Sequence, residues 1–258
     1  MSNKLKTLVI TLLFIIFFSA GVILTYFYLK KDAKNDVIDN NVSNINDNNK
    51  YTEDNLKFKS EYEGLNDDLD EDGNKKYVEV SIPENNLIKY TTAEEIKSLF
   101  ENNKSATIYL GFESCPWCRN AVPVLIDACK ENNVSEIYYM NIKDIRDKKI
   151  LDENKKVVTE NEGTEEYKTL LDLFKDDIDV YDGLNDNSIK RIYAPTVYFI
   201  KDGKIVKKHV STVDSQENPK EKLTDEQINE LKNIYKDGIT KMSLNDQNQF
   251  VCDEDRNC

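Results

Sequence analysis

Cys115-Pro116-Trp117-Cys118 places two thiols three residues apart, just after the apolar run ATIYLGF at 106–112 and a Glu113-Ser114 connection. At the start of a helix, cysteines so spaced lie close enough to form a disulfide within the first turn. The leading cysteine stands where unbonded backbone N–H groups and the helix dipole stabilise a thiolate. Pro116 suits the first helical position, where its missing N–H costs nothing. Trp117 has no core role between two cysteines and is expected at the surface, where an aromatic ring can contact an incoming substrate. This arrangement supports thiol–disulfide exchange, in which one thiolate attacks a disulfide sulfur and a second thiol releases the product. A structural disulfide or a metal-binding pair uses the same spacing, and both alternatives stay open. A zinc site from Cys115, Cys118, Cys252 and Cys258 is conceivable, although the five-residue gap in the second pair is unusual.

The other residue types narrow the chemistry. A single histidine, His209, argues against a Cys–His or Ser–His pair and excludes His-rich zinc sites; at a strand end it reads as solvated. Five cysteines in 258 residues are too few for a disulfide-built scaffold. Cys129 lies on the inner face of the helix that begins at the motif and reads as a buried core thiol. Cys252 and Cys258 read as a small terminal disulfide loop or, more sharply, as a relay partner for Cys115. With 48 acidic against 35 basic residues, a net charge of −13 argues against a nucleic-acid binder.

The elements that must position the motif follow from periodicity. The apolar run at 106–112 reads as a buried strand, and the helix from Cys115 carries Ala121, Val122, Val124, Leu125 and Ala128 on its apolar face. A second strand, EIYYMNI, occupies 136–142; strand, helix, strand predicts a parallel pair with a right-handed crossover. Upstream, residues 77–82 alternate like a strand, and a helix opens on a Thr91/Glu94 or Thr92/Glu95 capping box with Ile96, Leu99 and Phe100 apolar. Downstream, a helix covers about 164–174. Strands at 196–200 and 205–210 join through an Asp202-Gly203 turn. A last helix begins at Thr224, with Gly238 expected near its end. The sum is an α/β domain with a mixed sheet, parallel first and antiparallel later, flanked by helices on both faces.

Outside the domain, residues 8–29 form an uncharged stretch of 22, about 33 Å as a helix and long enough to span a bilayer. They are expected to form an uncleaved transmembrane anchor behind a short cytoplasmic tail at 1–7. Residues 30–75, rich in Asn, Asp, Lys and Glu, predict a disordered acidic stalk. The domain is then expected over 76–241, followed by a polar tail at 242–258 with its cysteine pair.

The motif in its setting resembles the thioredoxin superfamily over roughly residues 88–240. The resemblance rests on the strand, the CPWC turn, the helix with Pro123 five residues after Cys118, and the later segment Tyr193-Ala194-Pro195-Thr196 leading into a strand and hairpin. It implies that Cys115 is the attacking thiolate and Cys118 the resolving thiol. It also implies that Pro195 is a cis proline facing them, with Ala194 and Thr196 beside it in a substrate groove that Trp117 borders. Three departures stand out. The inner residues of the motif are Pro-Trp, and Tyr109 occupies the place of a buried acid that assists proton transfer, with Glu113 a weak substitute. The gap from Cys118 to Pro195 is also long enough for a helical insertion at about 143–187. The anchor, stalk and insertion together are similar to the thioredoxin-like bacteriocin-transport accessory proteins of Gram-positive bacteria.

The resemblance implies a membrane-anchored, extracytoplasmic thiol–disulfide oxidoreductase. It would act on protein or peptide thiols and disulfides, with a membrane electron donor or exporter as a further partner and no metal or organic cofactor. A binding or accessory module that holds a secreted peptide or exporter in the same groove is the alternative from another class. A cytoplasmic glutathione-dependent reductase conflicts with the anchor and the acidic surface.

Overall fold

The structure, a computed structural model, describes residues 51–244. The expected anchor at 8–29, the stalk up to residue 50 and the Cys252/Cys258 tail lie outside the described residues. Among the described residues no helix is long and apolar enough to cross a membrane.

From Tyr51 onward the chain already belongs to the domain, which corrects the stalk expected to reach residue 75. Helix α1 (Glu53–Glu63) starts on a capping box: Asn55 N–H donates to the Thr52 hydroxyl at 3.2 Å, and Thr52 N–H donates to the Asn55 side chain at 3.0 Å. Phe58 and Tyr62, one turn apart, are fully buried, and the Phe58 ring meets the edge of Tyr139 at 4.9 Å. Burying each aromatic contributes about 1.5–3 kcal/mol, enough for two residues to hold a short polar helix on a sheet.

Residues 77–82 bury Val78, Val80 and Ile82 in the expected alternation, but they join no sheet. Side chains take the place of a partner strand. Asn66 bonds both the N–H and the carbonyl of Val80, at 3.0 and 2.8 Å. Ile82 N–H donates to Glu63, its carbonyl accepts from Lys59, and Arg119 Nε donates to the Val78 carbonyl. These donors and acceptors come from elsewhere in the chain, so local alternation could not distinguish this segment from a strand.

The sheet assembles next. Strands β1 (Ile88–Tyr90) and β2 (Ala106–Gly111) both pair in parallel with β3 (Ile137–Asn141). Helix α2 (Ala93–Glu101), capped by Thr92 with Glu95, links β1 to β2, and α3 (Pro116–Glu131) links β2 to β3. After an insertion, β8 (Thr196–Lys201) and β9 (Lys204–Val210) add antiparallel, giving the order β1-β3-β2-β8-β9. Asp202 and Gly203 take positive φ at the hairpin tip, as a two-residue turn of this hand requires. Helix α5 (Asp225–Ser243) packs with α1 and α3 on one face of the sheet, around Tyr109, Tyr139 and Phe199.

The insertion is not the helical segment expected. It contains a hairpin of β4 (Lys148–Leu151) with β5 (Val157–Asn161), one helix α4 (Glu165–Leu173), and a short pair of β6 (Asp179–Val180) with β7 (Lys190–Arg191). Five of the nine hairpin residues are exposed, and the apolar ones come in adjacent pairs, Ile150-Leu151 and Val157-Val158, so the segment lacks the alternation that marks a half-buried strand. Beyond α4, Phe174 stacks on Tyr198 at 4.1 Å and closes the second face of the sheet with α2.

Gly238 lies inside α5, which continues to Ser243 rather than ending near the glycine. It is there for close approach: a Cβ would fall 2.3 Å from the Phe199 ring. Gly238→Ala is therefore expected to lower stability by about 1–3 kcal/mol, the usual cost of overpacking, despite the better helix propensity of alanine. Urea unfolding checks this; an unchanged or raised midpoint would show that the contact relaxes freely. His209, expected in solvent, is instead half-buried. It bonds the Thr212 carbonyl at 2.7 Å, packs edge-on to Tyr235, and is held below its ordinary pKa chiefly by burial.

Candidate active site

Cys115 is the N-cap of α3, in extended backbone conformation, with Pro116 at the first helical position. Its N–H donates to the Phe112 carbonyl at 3.2 Å, and its carbonyl accepts the first helical bond from Arg119. Its Sγ accepts from Cys118 N–H at 3.3 Å and donates to the Ala194 carbonyl at 3.4 Å. This second contact joins two motifs 79 residues apart in the chain. The Ala194–Pro195 peptide bond is cis. Both cysteines are free thiols; Cys115 is 5% exposed and Cys118 fully buried.

The two thiols sit in opposite electrostatic settings. A hydrogen bond from Cys118 is the largest effect on Cys115, and it lowers the pKa against burial. Backbone N–H groups of Cys118 and Trp117 and the charge of Arg146 act in the same direction. For Cys118, burial dominates and drives the pKa well up, reinforced by the hydrogen bond and charge of Cys115; a backbone bond at Phe112 and then a bond from Tyr109 oppose this. Such a pair has one thiol that gives up its proton more readily than usual and one that must be helped to lose it.

Tyr109 occupies the position where the resemblance implied an acid. It is fully buried and lies against Gly111, where a Cβ would be 2.4 Å from its hydroxyl. That hydroxyl is 2.7 Å from the hydroxyl of Tyr62 on α1. Burial first, then neighbouring sulfur and phenol groups, keep both tyrosines protonated. Glu113 is engaged elsewhere, accepting from Asn141 at 3.0 Å and Lys143 at 3.4 Å. Tyr109, which acts on Cys118, is thus one of two bonded hydroxyls, the other of which comes from the region expected to be stalk.

Trp117 and Pro116 are half-buried, as is Ala194. Thr196 is turned inward, its hydroxyl donating to the Tyr193 carbonyl at 2.7 Å, and Pro195 is buried. Of the three groove residues expected, Ala194 is the one with surface to offer. Cys129 is buried in α3, its thiol pushed up to about 12 by burial. Among the described residues no group of three or more His, Cys, Asp or Glu is placed to hold a metal ion.

Three arginines lie near the motif without being marked by its spacing. Arg119 is buried and donates to the carbonyls of Val78 (2.6 Å), Tyr62 (2.8 Å) and Glu113 (3.1 Å) and to the Asn66 side chain (2.6 Å). It fastens α1 and the extended segment to the active helix. Arg146, in the loop after β3, lies over the Phe112 ring at 5.0 Å, and Arg191 on β7 lies over Tyr181 at 4.3 Å. The chain has only four arginines, and their scarcity beside so many lysines was the available signal.

The β1-β3-β2-β8-β9 sheet, with a dithiol at the start of the helix after its central strand and a cis X–Pro bond beside it, fits a thioredoxin-like fold. The chain is similar to the crystal structure of thioredoxin O2 from Arabidopsis thaliana in the oxidized state, at 15% identity and a TM-score of 0.30, over 50% of this chain and 85% of that one. No protein-family model and no curated protein matches the chain.

Proposed function

We propose that this chain is a thiol–disulfide oxidoreductase that exchanges disulfides with protein or peptide substrates through Cys115 and Cys118. We further propose that residues 8–29 anchor it in a membrane, with the domain on the extracytoplasmic side. The observation that carries the proposal is the placement of Cys115 Sγ, held between Cys118 N–H and the Ala194 carbonyl while Cys118 lies buried behind it.

The steps follow from that placement. The Cys115 thiolate attacks one sulfur of a substrate disulfide, and the other sulfur leaves as a thiolate and takes up a proton. Cys118 then loses its proton and attacks the Cys115 sulfur, breaking the mixed disulfide and freeing the second substrate thiol. Run in reverse, the same steps oxidise a substrate dithiol. Tyr109 steadies the Cys118 thiolate as it forms, and Ala194 offers backbone to an extended substrate segment.

Cys115→Ser is expected to abolish reduction of insulin disulfides by the full chain, and Cys118→Ser to accumulate a substrate adduct through Cys115. Mass spectrometry of the adduct and the turbidity rate read both. Exchange that survives replacement of both cysteines would overturn the proposal in favour of a non-catalytic binding module.

A further inference from the structure

Arg146 and Arg191 stand out among the charges of this domain. Neither has an Asp or Glu within ion-pair distance among the described residues, and both Nε atoms are buried without a hydrogen-bond partner. Leaving a buried guanidinium nitrogen unbonded is costly, so the site favours an acceptor brought from outside. The nearest carboxylate in sequence, Asp147, pairs through Oδ2 with Lys149 at 3.3 Å, and its Oδ1, buried without a hydrogen-bond partner, bonds neither arginine. Both arginines border the candidate active site. Phe112, beneath Arg146, holds Cys115 N–H, and Arg191 is three residues before Ala194, whose carbonyl holds the Cys115 sulfur. Each charge repels the other, and Arg146 is held below its ordinary pKa by burial and then by Arg191.

The chain itself carries a ligand of the complementary kind. Residues 252–258 read Cys-Asp-Glu-Asp-Arg-Asn-Cys, three carboxylates directly after one cysteine and before another. The described chain stops at Leu244, and α5 runs from the active-site end of the sheet, where Asn120 bonds Leu223, to the far end, where Met242 meets Thr107. The return distance is about one helix length, ~28 Å for its 19 residues. Eight residues to Cys252 span at most ~26–29 Å, whereas fourteen to Cys258 span ~46–50 Å. Cys258 reaches the site with slack; Cys252 reaches it only when nearly straight.

Building on the exchange reading above, we propose that Arg146 and Arg191 form a carboxylate-binding subsite beside Cys115, and that it receives the acidic 252–258 segment of this chain. The segment is then the internal redox partner of the active pair. Cys115 attacks Cys258 of a Cys252–Cys258 disulfide and Cys252 leaves as a thiolate. Cys118 then attacks Cys115 and frees Cys258. The active pair ends as a disulfide and the tail as two thiols, with two protons passing from one pair to the other.

The test uses the reduced full chain in detergent with Cys252→Ser, Asp253→Asn, Glu254→Gln, Asp255→Asn and Cys258→Ser, so that its own tail does not compete, and two oxidised peptides as probes, FVCDEDRNC and FVCNQNRNC. The acidic peptide is expected to react about 10-fold faster or more at low salt. The preference should vanish in 0.5 M salt and in the Arg146→Gln/Arg191→Gln variant. The ratio of the two rates cancels any common change in Cys115 reactivity. Equal rates for the two peptides, with exchange intact, would overturn the subsite and leave the oxidoreductase standing. No exchange with either peptide or with insulin would overturn both. In a second arm, the full chain with only Cys118→Ser is expected to form an intrachain Cys115–Cys258 disulfide, found by peptide mapping and lost in the double arginine variant. A charge preference without that bridge would overturn the tail as occupant.

Discussion

A fragment beginning at residue 76 is expected not to fold, whereas one beginning at residue 51 is expected to unfold cooperatively. The shorter fragment lacks α1, and with it Phe58 and Tyr62, both fully buried against Tyr139 and Tyr109. Their loss costs about 1.5–3 kcal/mol each in burial alone and exposes the aromatic faces they covered. It also removes the Tyr62 carbonyl and the Asn66 side chain, two of the four acceptors of the buried Arg119 guanidinium. Stranding a buried charge costs roughly 3–5 kcal/mol. The extended segment 77–82 loses the Asn66 and Glu63 bonds that stand in for a partner strand. Together these losses approach the whole stability of an ordinary domain, about 5–15 kcal/mol. Circular dichroism through a thermal or urea transition reads the outcome. A native-like, cooperative transition in the fragment from residue 76 would show that α1 is an appendage.

Tyr109→Phe is expected to slow release of the mixed disulfide roughly 10- to 100-fold while leaving the initial attack by Cys115 nearly unchanged. The estimate takes a hydrogen bond to a charged group as worth about 1.5–3 kcal/mol. Tyr109 is the side-chain donor that opposes the burial of Cys118, so its hydroxyl matters most when Cys118 becomes a thiolate. Without it the already raised pKa of Cys118 rises further. At neutral pH less thiolate forms, and raising the pH restores part of the rate. Stopped-flow kinetics with a fluorescent disulfide separates attack from release, and a pH series distinguishes this effect from a packing defect. Equal release rates in wild type and variant would exclude the hydroxyl pair from proton handling. Tyr62→Phe should give a smaller effect in the same direction, because the bond that opposes the burial of Cys118 comes from Tyr109, to which the Tyr62 hydroxyl is bonded.

The parts of the domain that sequence could reveal are those whose signal is local. ATIYLGF and EIYYMNI are continuous apolar runs, so β2 and β3 lie within a residue or so of the spans expected. The Asp202-Gly203 turn and the capping residues Thr92 and Thr224 mark β8, β9, α2 and α5 in the same way. Cysteine spacing marks the dithiol. What stayed hidden depends on distant partners. Phe58 and Tyr62 are two aromatics in a polar stretch, and they become a helix face only because Tyr109 and Tyr139 offer a surface. Gly238 resembles a helix end in sequence but answers to Phe199 across the interface. Thr196, next to the proline, reads in sequence as a groove residue, yet its hydroxyl is spent on Tyr193. Arg119 looked like any charged residue after a motif, and nothing local shows that its four acceptors lie elsewhere.

The two margins of the sheet differ. At one end β1 is only three residues long. At the other, β9 runs for seven residues and carries Lys204, Lys207 and Lys208, with Lys207 tied to Asp237 and Lys208 to Asp179. A long open edge is a template on which any extended polypeptide can add a strand, and charged lysines are a common deterrent to that pairing. A protein that works on unfolded chains meets this hazard at every encounter. Under the proposed function, the longer margin deters such pairing while Ala194 remains half-exposed beside the Cys115 sulfur, so an extended substrate would be left the place where its disulfide can be exchanged.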